Sequence, residues 1–121
     1  MVQSFRDLQV WQCSMKLSVL IYRLTQEFPR EEMYGLTSQM RRSVVSIPSN
    51  IAEGQGRNST GEFRQMLGIA RGSNSELQTQ IEIARALKFG DLKLLDEAAG
   101  MSHEVGKMLF SLLKSLKSTN H

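Results

Sequence analysis

LTSQMRRSVVSIPSNIAEGQGR, residues 36–57, decides how this chain folds. The stretch opens on a helix start, carries Arg41 and Arg42 side by side, holds Pro48 in its middle and stops at Gly54 and Gly56. At about 100° per residue, Leu36, Met40, Ser43, Val44, Ile47, Asn50, Ile51 and Gly54 fall on one side, the side a bundle would bury. Arg42, Ser46, Ser49 and Glu53 form a second stripe. Arg41, Val45, Pro48 and Ala52 form a third of mixed chemistry, as expected of a helix that touches both its own domain and a neighbouring subunit. An interior proline removes a backbone hydrogen bond and costs about 3 kcal/mol in an unsupported helix. Either the helix breaks there, giving five elements, or it kinks and continues, with Ser46 or Ser49 and packing contacts offsetting the loss. The uninterrupted face from Ile47 to Gly54 favours continuation.

Working outward, residues 8–28 form a first helix with Asp7 as its N-cap and Val10, Leu17, Ile21, Leu24 and Phe28 on one face. Pro29 ends it. A short acidic turn leads through Gly35 into the second helix, 36–54, for which Thr37 or Ser38 is a candidate cap. Ser59 followed by Glu62 is a capping-box pattern that opens a third helix over 60–89. Its predicted core face is Phe63, Met66, Ile69, Ala70, Ser73, Leu77, Ile81, Ala84 and Leu87, with a stop at Phe89 before Gly90. Asp91 caps a fourth helix over 92–117, where Leu95, Ala98, Ser102, Val105, Leu109, Leu112 and Leu116 alternate by three and four. The tail 117–121 reads as frayed. No alternation of apolar and polar residues argues for a strand. Short connections favour antiparallel neighbours, so the chain reads as a single all-α domain, an up-down-up-down antiparallel four-helix bundle.

The 121 residues are enough for one core. Fifteen Lys and Arg against twelve Asp and Glu give a net charge of +3, which permits polyanion binding without requiring it. Cys13, the lone cysteine, excludes an internal disulfide, and the N-terminus has no signal-peptide pattern, so a cytoplasmic location is expected. No apolar run approaches the length of a membrane span.

Several blocks in order, FRDLQVWQ (5–12), SQMRRS (38–43), SIPSNIAEG (46–54), then GR, EF and ARGSNSEL (70–77), resemble the small bacterial four-helix bundle proteins encoded by intervening sequences of 23S ribosomal RNA genes. The resemblance covers roughly residues 5–90, and the last helix matches only in pattern. It implies a homo-oligomer, a pentamer, with no enzymatic activity, and it favours an unbroken second helix. Distantly similar bundles are the accessory variability proteins of diversity-generating retroelements, where a basic surface engages nucleic acid. That likeness is an analogy for function.

Catalytic and metal chemistry find little support in the residues. Glu53, Glu76 and Glu104 suggest a di-iron site at first sight, but such sites use Glu-x-x-His pairs, and neither His103 nor His121 has a Glu three positions before it. Cys13 reads as a small core hydrophobe at the edge of the first helix's apolar face. No nucleophile elbow or phosphate-cradling glycine loop is present. Gly68 and Gly72 read as points of close helix approach, within the bundle or between subunits. No metal or cofactor is expected.

Two groups of polar residues remain. Ser46, Asn50, Glu53, Ser73 and Glu76 border the apolar faces and form a candidate buried network. Its carboxylates would need partners, with Arg42 a plausible one. Arg41, Arg42, Arg57, Arg64 and Arg71 are candidate nucleic-acid contacts, since the planar guanidinium suits phosphate. The competing reading is a solvated, salt-bridged surface, helped by Glu62 and Glu82. Phe63 and Phe110 are assigned to packing, which leaves no stacking platform and predicts backbone-directed binding of structured RNA or DNA. The alternative is a scaffold whose surface, including Arg41, Val45, Pro48 and Ala52, binds a protein partner.

Overall fold

The computed structural model describes residues 4–118, with side chains through residue 116. A 3₁₀ turn over Phe5–Asp7 precedes α1 (Gln9–Thr25), a second one over Arg30–Glu32 precedes α2 (Leu36–Gln55), and α3 (Thr60–Leu87) and α4 (Leu92–Ser118) follow. Among the described residues there is no strand. The expectation of a frayed tail concerns residues that lie largely outside those described. α1 packs on α2 and α4, α3 packs on α2 and α4, and the diagonal pairs do not meet. The Phe28 and Phe89 rings lie 5.8 Å apart, which puts the ends of α1 and α3 at the same end of the bundle, as an up-down-up-down course requires.

The core follows most of the faces that the periodicity marked, and adds Leu20 of α1 and Leu67 of α3, which it did not mark. Leu17, Ile21 and Leu24 of α1, Met40, Val44, Ile47 and Ile51 of α2, Leu67, Leu77 and Ile81 of α3, and Leu95, Val105 and Leu109 of α4 are buried. Leu112 and Leu116 pack against this core while partly exposed. Two residues assigned to the face of α3 are outside it: Ile69 and Leu87 are 47% and 54% exposed. Ile69 is next to Ala70, about 100° away around the helix, and Ala70 takes the central position. Leu87 is the last residue of α3, where the bundle no longer covers it.

α2 runs unbroken through Pro48. The proline has no N–H to give the carbonyl of Val44 four residues earlier. Ser18 of α1 fills that place: its hydroxyl, bonded to the Ser14 carbonyl at 2.8 Å, also reaches the Val44 carbonyl oxygen at 3.3 Å. The compensation therefore comes from the neighbouring helix, and neither Ser46 nor Ser49 provides it. α2 and α3 approach closely at Gly54, where an added Cβ would lie 2.8 Å from Met66 Cβ and 2.9 Å from Phe63. Gly68 and Gly72, by contrast, are exposed, with nothing within 4 Å of an added Cβ, so the bundle itself does not use them for close approach.

The caps differ from the sequence reading in part. Ser59 accepts from the Glu62 amide at 3.1 Å and Asp91 accepts from the Lys93 amide at 2.8 Å, as expected. Asp7 is not a cap: α1 begins after Leu8, and Ser4 caps the preceding 3₁₀ turn. α2 begins after Gly35, and its first amide, Leu36 N–H, donates to the Glu32 carboxylate at 3.0 Å, while Thr37 is buried within the helix. α3 ends at Leu87 rather than at Phe89, because Lys88 caps it with a left-handed φ of 61° that turns the chain before Gly90.

Candidate nucleic-acid interface

Charge divides along the bundle. Residues 27–32 and 82–97, at the end formed by the α1–α2 and α3–α4 connections, hold seven acidic and four basic residues, net −3. The rest of the chain holds eleven basic and five acidic residues, net +6. The small overall charge therefore conceals a polarity several times larger, of the kind that attracts a polyanion to one region.

Within the basic part, α3 and α4 build a cationic groove. Asn74 and Ser102 set their register: Asn74 donates to the Ser102 carbonyl at 3.0 Å and accepts from the Ser102 hydroxyl at 2.8 Å, both side chains being buried. Gly106 lets the helices close there, since an added Cβ would lie 3.2 Å from the Asn74 amide nitrogen. With that register fixed in antiparallel helices, Arg71, three residues before Asn74, faces the stretch of α4 that follows Ser102, and its long side chain extends along it to Phe110. The Arg71 guanidinium lies over the Phe110 ring, 5.3 Å from its centroid. Two turns back along α3 from Arg71 and one turn on along α4 from Phe110, Arg64 and Lys114 line the same hollow.

Two adjoining depressions result. One, about 460 Å³, is lined by Arg64, Arg71, Phe110, Leu113 and Lys114. The other, about 430 Å³, includes Arg71, Phe110, His103 and Lys107 among its walls. Neither is lined by a carboxylate. Arg64 and Arg71 are seven residues apart on α3, as are Lys107 and Lys114 on α4, so four cations flank about 10 Å of groove. Lys107 has Glu104 at 3.5 Å, an exposed contact that leaves it available to a competing anion. The Nε–H of Arg64 is buried and has no acceptor.

The remaining arginines named from the sequence lie elsewhere. Arg41 is held on α1, donating to Thr25 Oγ1 at 2.9 Å and to the Tyr22 carbonyl at 3.5 Å, with its guanidinium 4.5 Å from the Tyr22 ring centroid. Arg42 is exposed beside Tyr22 and Tyr34, on the other side of the bundle. Arg57 pairs with Glu53 at 2.6 Å, and that hydrogen bond raises its already high pKa. Glu82 pairs with Arg85 rather than with a groove arginine. Lys107, Lys114 and Phe110 were missed. The matching spacing of seven in two helices that must be antiparallel was the available signal for the lysines. Phe110 is 52% exposed, which corrects its assignment to packing, whereas Phe63 does pack against the core.

The polar network forms around three of its five candidates. The hydroxyls of Ser46 and Ser73 lie 2.8 Å apart, and Asn50 donates to Ser46 Oγ at 2.9 Å, joining α2 to α3. Glu53 and Glu76 are exposed, so the expected burial of carboxylates and their pairing with Arg42 do not occur. Among the described residues no three His, Cys, Asp or Glu side chains cluster in a way that could hold a metal ion. Cys13 is half-buried against the core, and burial raises its thiol pKa.

A second surface of different character lies across α1 and α2. Tyr22, Met33, Tyr34, Arg41, Arg42 and Val45 surround a shallow depression of about 580 Å³, and Tyr34 is 93% exposed. No described helix is long and apolar enough to cross a membrane.

A family model described as 23S rRNA-intervening sequence protein matches residues 6–111. No curated protein matches the sequence. Among solved structures, a protein of unknown function from the S23 ribosomal protein family of Bacteroides thetaiotaomicron VPI-5482 superposes with a TM-score of 0.78 at 24% identity, covering 87% of this chain and 98% of that one. At that identity the likeness shows a shared fold.

Proposed function

The chain belongs to the 23S rRNA-intervening sequence protein family, and on that footing we propose that it is a non-enzymatic, cytoplasmic homo-oligomer, a pentamer, that binds structured RNA or DNA through the α3–α4 groove. The observation that carries this reading is the set of four cations, Arg64, Arg71, Lys107 and Lys114, around a groove with no carboxylate in its walls. Phosphates would enter it attracted by the net +6 of that part of the chain and be held by the arginine forks. Such contacts release counterions and carry little sequence information. Repetition of the groove around an oligomer would multiply the number of phosphates engaged and raise avidity without new chemistry.

A second reading rests on the α1–α2 surface. Tyr22, Met33, Tyr34 and Val45 offer exposed apolar and aromatic area of the kind that anchors protein contacts. That face would serve self-association or a protein partner. Charge reversal separates the readings. Arg64→Glu combined with Arg71→Glu abolishes RNA binding in fluorescence anisotropy while light scattering shows the wild-type oligomer mass. Unchanged affinity in that variant would refute the groove and leave the α1–α2 face as the functional surface.

A further inference from the structure

Phe110 is a large aromatic ring left half in solvent on a helix whose other apolar residues are mostly turned inward. It stands where the two cationic depressions adjoin, with a guanidinium over it. A surface meant only for duplex phosphates has no use for such a ring, because paired bases are stacked within the helix and present no face to it. Arginine and phenylalanine together present flat, polarisable surfaces of the kind on which unpaired bases stack. Arg64 lies on the wall of the same depression, where its guanidinium can engage a phosphate oxygen.

We propose that the groove between α3 and α4 seats an unpaired nucleotide, its base stacked on Phe110 and Arg71 and its phosphate held by Arg64 and Lys114. The inference rests on the nucleic-acid reading above and narrows it: the target is a loop, bulge or single strand, and the protein discriminates it from a continuous duplex. Gln78 and Ser75, on the wall of the adjoining depression, are polar groups within the same site that can face base edges or the sugar. Stacking tolerates any base, so affinity depends weakly on sequence.

The test uses the full chain and three labelled probes in anisotropy titrations at one salt concentration: an RNA single strand, the same strand with its central nucleotides abasic, and the corresponding RNA duplex. The single strand binds most tightly, and both base removal and Phe110→Ala weaken binding about ten-fold, the effect of losing one base stack. Phe110→Leu, which keeps apolar bulk, loses as much as the alanine variant, and Phe110→Trp retains affinity. Equal binding of strand and duplex, unaffected by Phe110→Ala, overturns the stacking site while leaving phosphate binding intact. Absence of binding to every probe overturns both. A Phe110→Ala protein that changes oligomer mass and keeps its RNA affinity would assign the ring to a contact between copies and overturn the proposal.

Discussion

Replacing Ser18 by alanine destabilises the fold by about half a kcal/mol, and once Pro48 is also replaced by alanine the same change stabilises it by about as much. Pro48 leaves the Val44 carbonyl without its helical donor, and the Ser18 hydroxyl reaches it at 3.3 Å from α1. A buried carbonyl left without any donor costs roughly 1–3 kcal/mol. The low end applies, because the same hydroxyl hydrogen is shared with the Ser14 carbonyl at 2.8 Å. Alanine also has the higher helix propensity, about half a kcal/mol in its favour, but that gain is present in both backgrounds and cancels. In Pro48→Ala the new amide donates to Val44, so Ser18 no longer has that task. The double-mutant cycle therefore gives a coupling of about 1 kcal/mol. Urea unfolding followed by far-ultraviolet circular dichroism on the four proteins measures it. Additive effects, with coupling indistinguishable from zero, would show that Ser18 does not support the proline and that packing alone sustains α2.

Other positions give independent checks. Gly90→Ala destabilises by more than about 2 kcal/mol, since φ is +78° and the added Cβ would lie 2.8 Å from Phe28 and 2.9 Å from Leu24; Lys88→Gly, relieving a left-handed φ of 61°, stabilises by up to about 1 kcal/mol. Both are read from urea midpoints. Ser102→Ala strands the buried Asn74 amide oxygen, costs about 1–3 kcal/mol, and loosens the register that sets Arg71 over Phe110, so RNA affinity falls with stability. The Cys13 thiol, its pKa raised chiefly by burial, reacts with a disulfide reagent more slowly in the folded protein than in urea at the same pH. The folded state holds that proton more tightly than the unfolded chain. Its stability is therefore undiminished below the unfolded thiol's pKa and declines as pH rises from there toward the folded value, as pH-dependent unfolding would record.

The buried faces of α1, α2 and α4 were legible because they depend on period alone: Val10, Leu17, Ile21 and Leu24 recur at helical spacing whatever lies opposite. Ser59 and Asp91 were legible as caps because capping is local. What was not legible depends on which helix lies against which. Nothing in the sequence near Ser18 signals that it will face a carbonyl orphaned by a proline 30 residues later. The Glu32 cap was hidden for a similar reason, since it requires the 3₁₀ turn to fold back on the first amide of α2. Asn74 and Ser102 are ordinary polar residues until the α3–α4 register brings them together, and that register also decides that Phe110 is left in solvent. Sequence spacing found half of the groove, Arg64 and Arg71, and the antiparallel pairing of α3 with α4 supplied Lys107 and Lys114.

Whether the α3–α4 groove binds nucleic acid through its four cations is read from the salt dependence of RNA binding by the full chain. Anisotropy titrations across a range of salt concentrations should give a slope of log K against log salt of about −2.8 to −3.6 for each engaged groove, from roughly 0.7 to 0.9 per neutralised phosphate. Arg64→Glu with Arg71→Glu should flatten that slope. No binding at low salt, or binding with a slope near zero, would show that these four cations do not hold phosphates.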